Sequence, residues 1–282
     1  QNPNCQWIAD VTVVPVPLTV GVEPTDITFY KTTPDGERPT LQAMIFYAGP
    51  IGGGELTFTL EKADGTAVET KNVTPSSRQN VEFSVSDAGE YRIKIEFNGY
   101  VCYTKTVTVT VSECTHPGIT GENKCTQCHC DIAATVTSGT VTTGYADIAD
   151  ALAAAQTQNG CTLKLLADVD KTLLVRSGNF TIDAAGRTFG GNFNVQKGVV
   201  LTVEAAGTVF SGKIVCAKGA QLTVNGGTVK GAVNAVGTAN FTDTTFESTV
   251  SGHSEMTLTK CVLKGNLSAS GIVRAETCTL SA

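Results

Sequence analysis

The sequence predicts an all-β chain of two unlike parts, an antiparallel sandwich followed by a stack of parallel coils. Three observations carry this. The tail repeats itself around Phe189, Phe210, Val229, Phe246, Leu263 and Leu280, which lie 21, 19, 17, 17 and 17 residues apart. A period near 20 marks one supersecondary unit stacked on copies of itself. The first 112 residues instead carry unrelated runs that alternate apolar and polar residues between turn signals, as half-buried strands do. Inside the tail no run of ten or more residues keeps the 3.6-residue period that a helical solenoid needs.

In chain order, residues 1–112 form the sandwich. The alternating runs are 10–16, 55–61, 80–85, 91–97 and 104–111, with turns at Asp64-Gly65 and Asn98-Gly99. An Asn-Gly pair between alternating runs is a strong hairpin signal. The stretch Ser86-Asp87-Ala88-Gly89-Glu90-Tyr91 resembles the Asp-x-Gly-x-Tyr signature of immunoglobulin-like domains. That resemblance implies an immunoglobulin-like sandwich in which Tyr91 makes a corner hydrogen bond at the start of strand F. Ile93 stands where an antibody-type domain has its second core Cys, so the inter-sheet disulfide is not implied. Cys5 and Cys102, near the start of this part and on its last strand, are candidates for a disulfide or for two buried thiols. Trp7 is expected to pack in the sandwich.

Residues 113–131 form a linker dense in cysteine and histidine. The Cys125-x-x-Cys128 pair can grip one metal ion from a single tight turn, and Cys114 with His116 supplies a second arm. Four soft donors in that arrangement suit tetrahedral zinc, so Cys114, His116, Cys125 and Cys128 are the candidate ligands. Four protein ligands close the site, as a structural metal requires, whereas catalysis needs an open position. The pattern is similar to the small C-x-H…C-x-x-C knuckles between β-modules in large surface proteins of Gram-positive bacteria. The resemblance implies an exported protein, extracellular or at the cell surface. The alternative is a local disulfide knot, since exported proteins meet oxidising surroundings. His129 and Cys130 are additional to the four, and Cys130 is a candidate disulfide partner for Cys161.

Residues 132–282 form the coil stack. Segment 145–156 places Tyr145, Ile148, Leu152 and Ala155 at helical spacing, ended by Asn159-Gly160, and reads as an amphipathic helix capping the first coil. The first coil strand begins at Cys161, Leu163 and Leu165. Ahead of each anchor sits an apolar pair two residues apart, such as Phe180 and Ile182 or Leu201 and Val203. A second pair follows most anchors, such as Phe193 and Val195 or Ile214 and Cys216. Thr, Lys, Asn, Ser and Asp lie between, as a solvated face requires. Each period therefore holds about three short strands, giving a parallel β-helix of about six coils. Gly186, Gly207, Gly226 and Gly265 are expected at corners that favour positive φ. By coil pattern the tail resembles the right-handed parallel β-helix of the pectate-lyase-like superfamily. Cys216, Cys261 and Cys278 face inward and are expected to stay reduced. For Cys261 and Cys278, strands stacked about 4.8 Å apart exceed the roughly 3.8 Å Cβ separation of a disulfide. The last coil carries no cap of its own, so further chain or a partner molecule is expected to cover it.

Net charge is −6. Residues 1–130 hold 9 Lys and Arg against 15 Asp and Glu, and 131–282 hold 11 of each, so neither part offers the basic surface that nucleic acid demands. No run of 18 uninterrupted apolar residues exists to span a membrane. A chain that opens on Gln1 without a signal peptide reads as processed or trimmed. Asp183 and Glu204 occupy equivalent places on successive coils, but coils this short leave no long loops to wall a groove, so these acids read as a solvated corner. His253 reads as exposed decoration. The leading expectation is a non-enzymatic exported surface protein, a structural stalk or an adhesion and binding module whose partner is a host or environmental glycan or protein. The alternatives are a polysaccharide lyase or hydrolase using the β-helix face and a carbohydrate-binding module without turnover.

Overall fold

The computed structural model describes residues 19–46, 54–76, 78–97, 99–184 and 186–281. They divide into two compact units at the junction of Glu113 and Cys114. The described residues are mostly strand, with one α-helix among them.

The first unit contains β1 (Thr19–Glu23), β2 (Asp26–Tyr30), β3 (Thr40–Phe46), β4 (Leu56–Lys62), β5 (Ala67–Val73), β6 (Arg78–Ser84), β7 (Gly89–Phe97), β8 (Tyr100–Tyr103) and β9 (Val107–Ser112). One sheet has the order β1-β3-β6 and the other β2-β9-β7-β4-β5, with β8 also paired to β7. Alternation turns Leu41, Ala43 and Phe83 from the first sheet, and Phe58, Leu60 and Ile93 from the second, into one shared core. The pairing departs from an all-antiparallel reading at β2 and β9, which run parallel with Asp26 opposite Thr108. The chain leaves the first sheet after β1 and enters the second as β2, so the direction in which it meets β9 is set by that crossing. Local alternation does not encode it.

Tyr91 is 2% exposed, and its hydroxyl donates to the Asp87 carbonyl at 3.0 Å. Burial, and then the charge of Asp87, push its phenol pKa up. The two turns form as expected. Gly65 takes φ +87 where the Thr66 amide donates to Asp64 Oδ1, and Gly99 takes φ +82 between Phe97 and the opposing Tyr100. Cys102 lies on β8, not on the last strand β9 as expected; it stands opposite Ile95 and is half-buried. Cys5, Trp7 and run 10–16 lie outside the described residues, and with them the proposed Cys5 to Cys102 disulfide.

The second unit opens with β10 (Ala134–Ser138), β11 (Val141–Tyr145), α1 (Ile148–Ala155) and β12 (Thr162–Leu165). β10 pairs antiparallel with both β11 and β12. The same sheet then continues through six parallel strands, from Asn179–Asp183 to Ile272–Glu276. Two further six-stranded sheets complete the coils, one running from Leu173–Val175 to Leu267–Ala269 and one from Thr188–Phe189 to Thr279–Leu280. Register runs anchor to anchor, Phe189 opposite Phe210 and Phe246 opposite Leu263, so each sequence period is one turn of a β-solenoid of about six turns. Asp147 caps α1 by accepting from the Ala149 amide, and Ala151, Leu152 and Ala155 join the solenoid core. Tyr145 ends β11, so the helical spacing read over 145–156 is occupied by helix only at 148–155.

The coils shorten one corner at a time. The corner after the long strand contracts from 205–208 to 226–227, and the corner before it from 217–220 to 236–237, which takes the period from 21 through 19 to 17. Three residues before each anchor the backbone turns left-handed, at Gly186, Gly207 and Gly226 and then at Asp243, Lys260 and Thr277. The last three carry a Cβ in a conformation that costs an L-residue roughly 1–2 kcal/mol. Lys260→Gly is therefore expected to stabilise the solenoid by about 0.5–1 kcal/mol after the entropic cost of glycine. Urea unfolding reads this, and no gain would remove strain as the account of this corner.

Gly265 departs from the expectation of a positive-φ corner. It stands two residues after its anchor, where a Cβ would overlap the Ser248 carbonyl. Gly191, Gly212 and Gly231 occupy the same place, and a Cβ on each would overlap Lys171, Gly191 and Gly212 respectively. Glycine here is required by close approach between coils. Inside the stack, Phe189 and Phe210 lie with ring centroids 4.9 Å apart and 17° between planes. Cys216 and Cys261 are buried and Cys278 half-buried, all as free thiols. Burial pushes Cys216 up to about 11.

Candidate metal centre

Segment 114–132 is a compact knuckle built from turns. The Thr120 hydroxyl accepts from the Glu122 and Lys124 amides, and Asn123 takes φ +60, which reverses the chain and sets Ile119 opposite Cys125. Lys124 then bridges to Asp131, and the Ile132 amide donates to the Asn123 carbonyl at 2.7 Å. Gly118 lies under Thr126, where a Cβ would fall 2.6 Å from the Thr126 hydroxyl. Gly144 on β11 makes the seat: a Cβ there would lie 3.1 Å from Ile119, 3.3 Å from Ile132 and 3.4 Å from His116.

These turns bring Cys114, His116, Cys125 and Cys128 together, with one donor atom from each and all four within 4.8 Å of one another. Cys125 and Cys128 are 0% and 1% exposed and His116 is 9% exposed. Cys114 Sγ lies 3.6 Å from Cys125 Sγ, and Cys128 Sγ lies 3.4 Å from His116 Nδ1. A disulfide needs about 2.05 Å between sulfurs. A tetrahedral ion with metal–sulfur bonds of about 2.3 Å spreads two sulfurs to roughly 3.8 Å, and a sulfur and an imidazole nitrogen to roughly 3.6 Å. The separations fit a shared metal ion and are longer than a disulfide bond.

The backbone is arranged for thiolates. The Gln127 amide points at Cys125 Sγ and the His116 amide at Cys114 Sγ, both at 3.4 Å. For Cys125 burial opposes ionisation, but the amides of Cys128 and Gln127 and the His116 ring outweigh it, so its pKa is lowered. Cys114 goes the other way, pushed up to about 11 chiefly by burial. Of these two, Cys125 is the readier to ionise. With three thiols and one imidazole around one point, the centre can hold a metal ion in a closed set of protein donors.

Cys130, unassigned by spacing, lies beside these four, with its Sγ 3.4 Å from Cys128 Sγ and 3.8 Å from His116 Nδ1. It does not bridge to Cys161, whose thiol donates to the Ala155 carbonyl at 3.6 Å. His129 takes φ +58 and is exposed. Its turn carries Cys130 back, so that the Cys125 amide donates to the Cys130 carbonyl at 2.9 Å. The parallel register of the solenoid places Asp183 beside Glu204, with Lys164 Nζ 3.7 Å from Asp183 and Asn225 donating to Glu204 at 2.9 Å. His253 is exposed and shares a 2.8 Å hydrogen bond with Ser270. Among the described residues no helix is long and apolar enough to cross a membrane. Comparison with protein-family models and with curated proteins finds no match.

Proposed function

We propose that the chain is a non-enzymatic module of an exported surface protein, a stalk or adhesive element in which a coil stack is joined to a sandwich through a zinc knuckle. The observation that carries this reading is the unbroken coil-to-coil register. Each turn bonds to the next through three sheets, with backbone against backbone at the glycine row. At about 4.8 Å per coil this makes a short rod with no hinge along its sheets.

The finer assignments rest on particular contacts. The Tyr91 to Asp87 bond and the parallel pairing of β2 with β9 support an immunoglobulin-like sandwich. The buried face of α1 supports its role as a cap on a right-handed, pectate-lyase-like helix. Three sulfurs and one imidazole favour zinc over harder ions. Leu267 and Leu280, 40% and 76% exposed, stand in register with the buried Val250 and Leu263. They support a cover over the last coil, by further chain or by a partner, and the knuckle resemblance supports location at the cell surface. The partner on this reading is a host or environmental glycan or protein.

Incubation with a panel of polysaccharides, scored for new reducing ends and for unsaturated products, is expected to show no turnover. Turnover that disappears in Asp183→Ala or Glu204→Ala would overturn the non-enzymatic reading in favour of a polysaccharide lyase or hydrolase.

A further inference from the structure

The knuckle carries more soft donors than one tetrahedral ion can use. Cys114, His116, Cys125 and Cys128 already make four. Cys130 adds a fifth just outside that set, with its Sγ 3.4 Å from Cys128 Sγ and 3.8 Å from His116 Nδ1, close to the roughly 3.8 and 3.6 Å edges of a tetrahedral site. Cys130 is 7% exposed and held by the Cys125 amide on its carbonyl, whereas Cys114 is half-buried at the entrance to the unit. The better-buried sulfur is thus the one that spacing leaves out.

We propose that Cys130 is a fifth donor of the centre and exchanges with Cys114, so that the metal is held by two sets sharing His116, Cys125 and Cys128. This rests on the metal reading above. In the exchange the metal–sulfur bond to Cys114 breaks as the bond to Cys130 forms. The incoming thiol gives up a proton and the departing thiolate takes one up, so charge and oxidation state do not change. The consequence is mechanical: the segment arriving from the first unit can be released at Cys114 without loss of the metal.

The test uses the full chain, reduced and loaded with cobalt or zinc. Cys114→Ser and Cys130→Ser are each expected to weaken metal binding by no more than about tenfold, because the other sulfur takes over. The double variant is expected to weaken it by about 1,000-fold or more, a non-additivity that marks shared function. In the unaltered zinc-loaded protein, brief alkylation read by fragmentation of the intact chain is expected at Cys114 on some molecules and at Cys130 on others. Labelling confined to one of the two, or a Cys114→Ser loss as large as that of the double variant, would overturn the exchange while leaving the metal centre standing. Failure of the unaltered protein to bind either ion would overturn both.

Discussion

Cys128→Ser is expected to weaken metal binding by more than about 100-fold, beyond the range seen when only the surroundings of a ligand are changed. Cys128 is 1% exposed, sits 3.4 Å from both His116 Nδ1 and Cys130 Sγ, and belongs to both of the donor sets proposed above. Serine offers a hard hydroxyl that stays protonated and is a poor substitute for a thiolate donor. The knuckle also has little else to hold it. The solenoid core contains none of Cys125, Cys128 and Ile132, and the apparent binding energy of zinc in small zinc domains, about 10–16 kcal/mol, is largely folding energy. Amide exchange should therefore accelerate across 114–132 and remain slow in the coils. Competition with a chromophoric chelator measures the affinity, and a change under about tenfold would remove Cys128 from the centre.

Phe210→Ala is expected to destabilise the second unit by about 3–5 kcal/mol, the range for deleting a fully buried aromatic ring. Its ring is 1% exposed, stacks on Phe189 at 4.9 Å and meets Phe193 at 6.1 Å. The cavity cannot collapse easily, because coils above and below are fixed by backbone contact at Gly191, Gly212 and Gly231. Stability in a solenoid is carried by nearest-neighbour interfaces, so the loss should be concentrated in the coils that flank residue 210. Urea unfolding gives the total and amide exchange its location. A cost below about 1.5 kcal/mol, the ceiling for a volume-conserving exchange, would mean that the coils repack around the gap.

Much of the solenoid is legible in the sequence. Phe189, Phe210, Val229, Phe246, Leu263 and Leu280 were identified by spacing alone, and each lies on the sheet that the repeat implies. The helix was legible at Ile148, Leu152 and Ala155 but overextended to Tyr145, because spacing cannot tell the last residue of a strand from the first turn of a helix. The hairpin of β10 and β11, which begins the long sheet and seats the knuckle at Gly144, went unread although Ser138-Gly139 marks its turn. Cys130 is visible as a cysteine, but its place beside Cys128 and His116 is not, since that depends on the reversal at His129.

Residue order alone carries the period, the inward and outward faces of the coil strands and the choice of Cys114, His116, Cys125 and Cys128 as candidate donors. All three are written in short-range order, as residue type against spacing. Folding in three dimensions sets that Cys130 lies beside Cys128 and His116, that β2 runs parallel to β9, and that Gly265 is required by the carbonyl of the coil beneath it. It also decided that Asp243, Lys260 and Thr277 take over a left-handed corner that glycine occupies in the earlier coils. These outcomes depend on distances between residues a full coil or a full sheet apart. Such distances are set by how the elements stack, and stacking leaves no periodic trace along the chain.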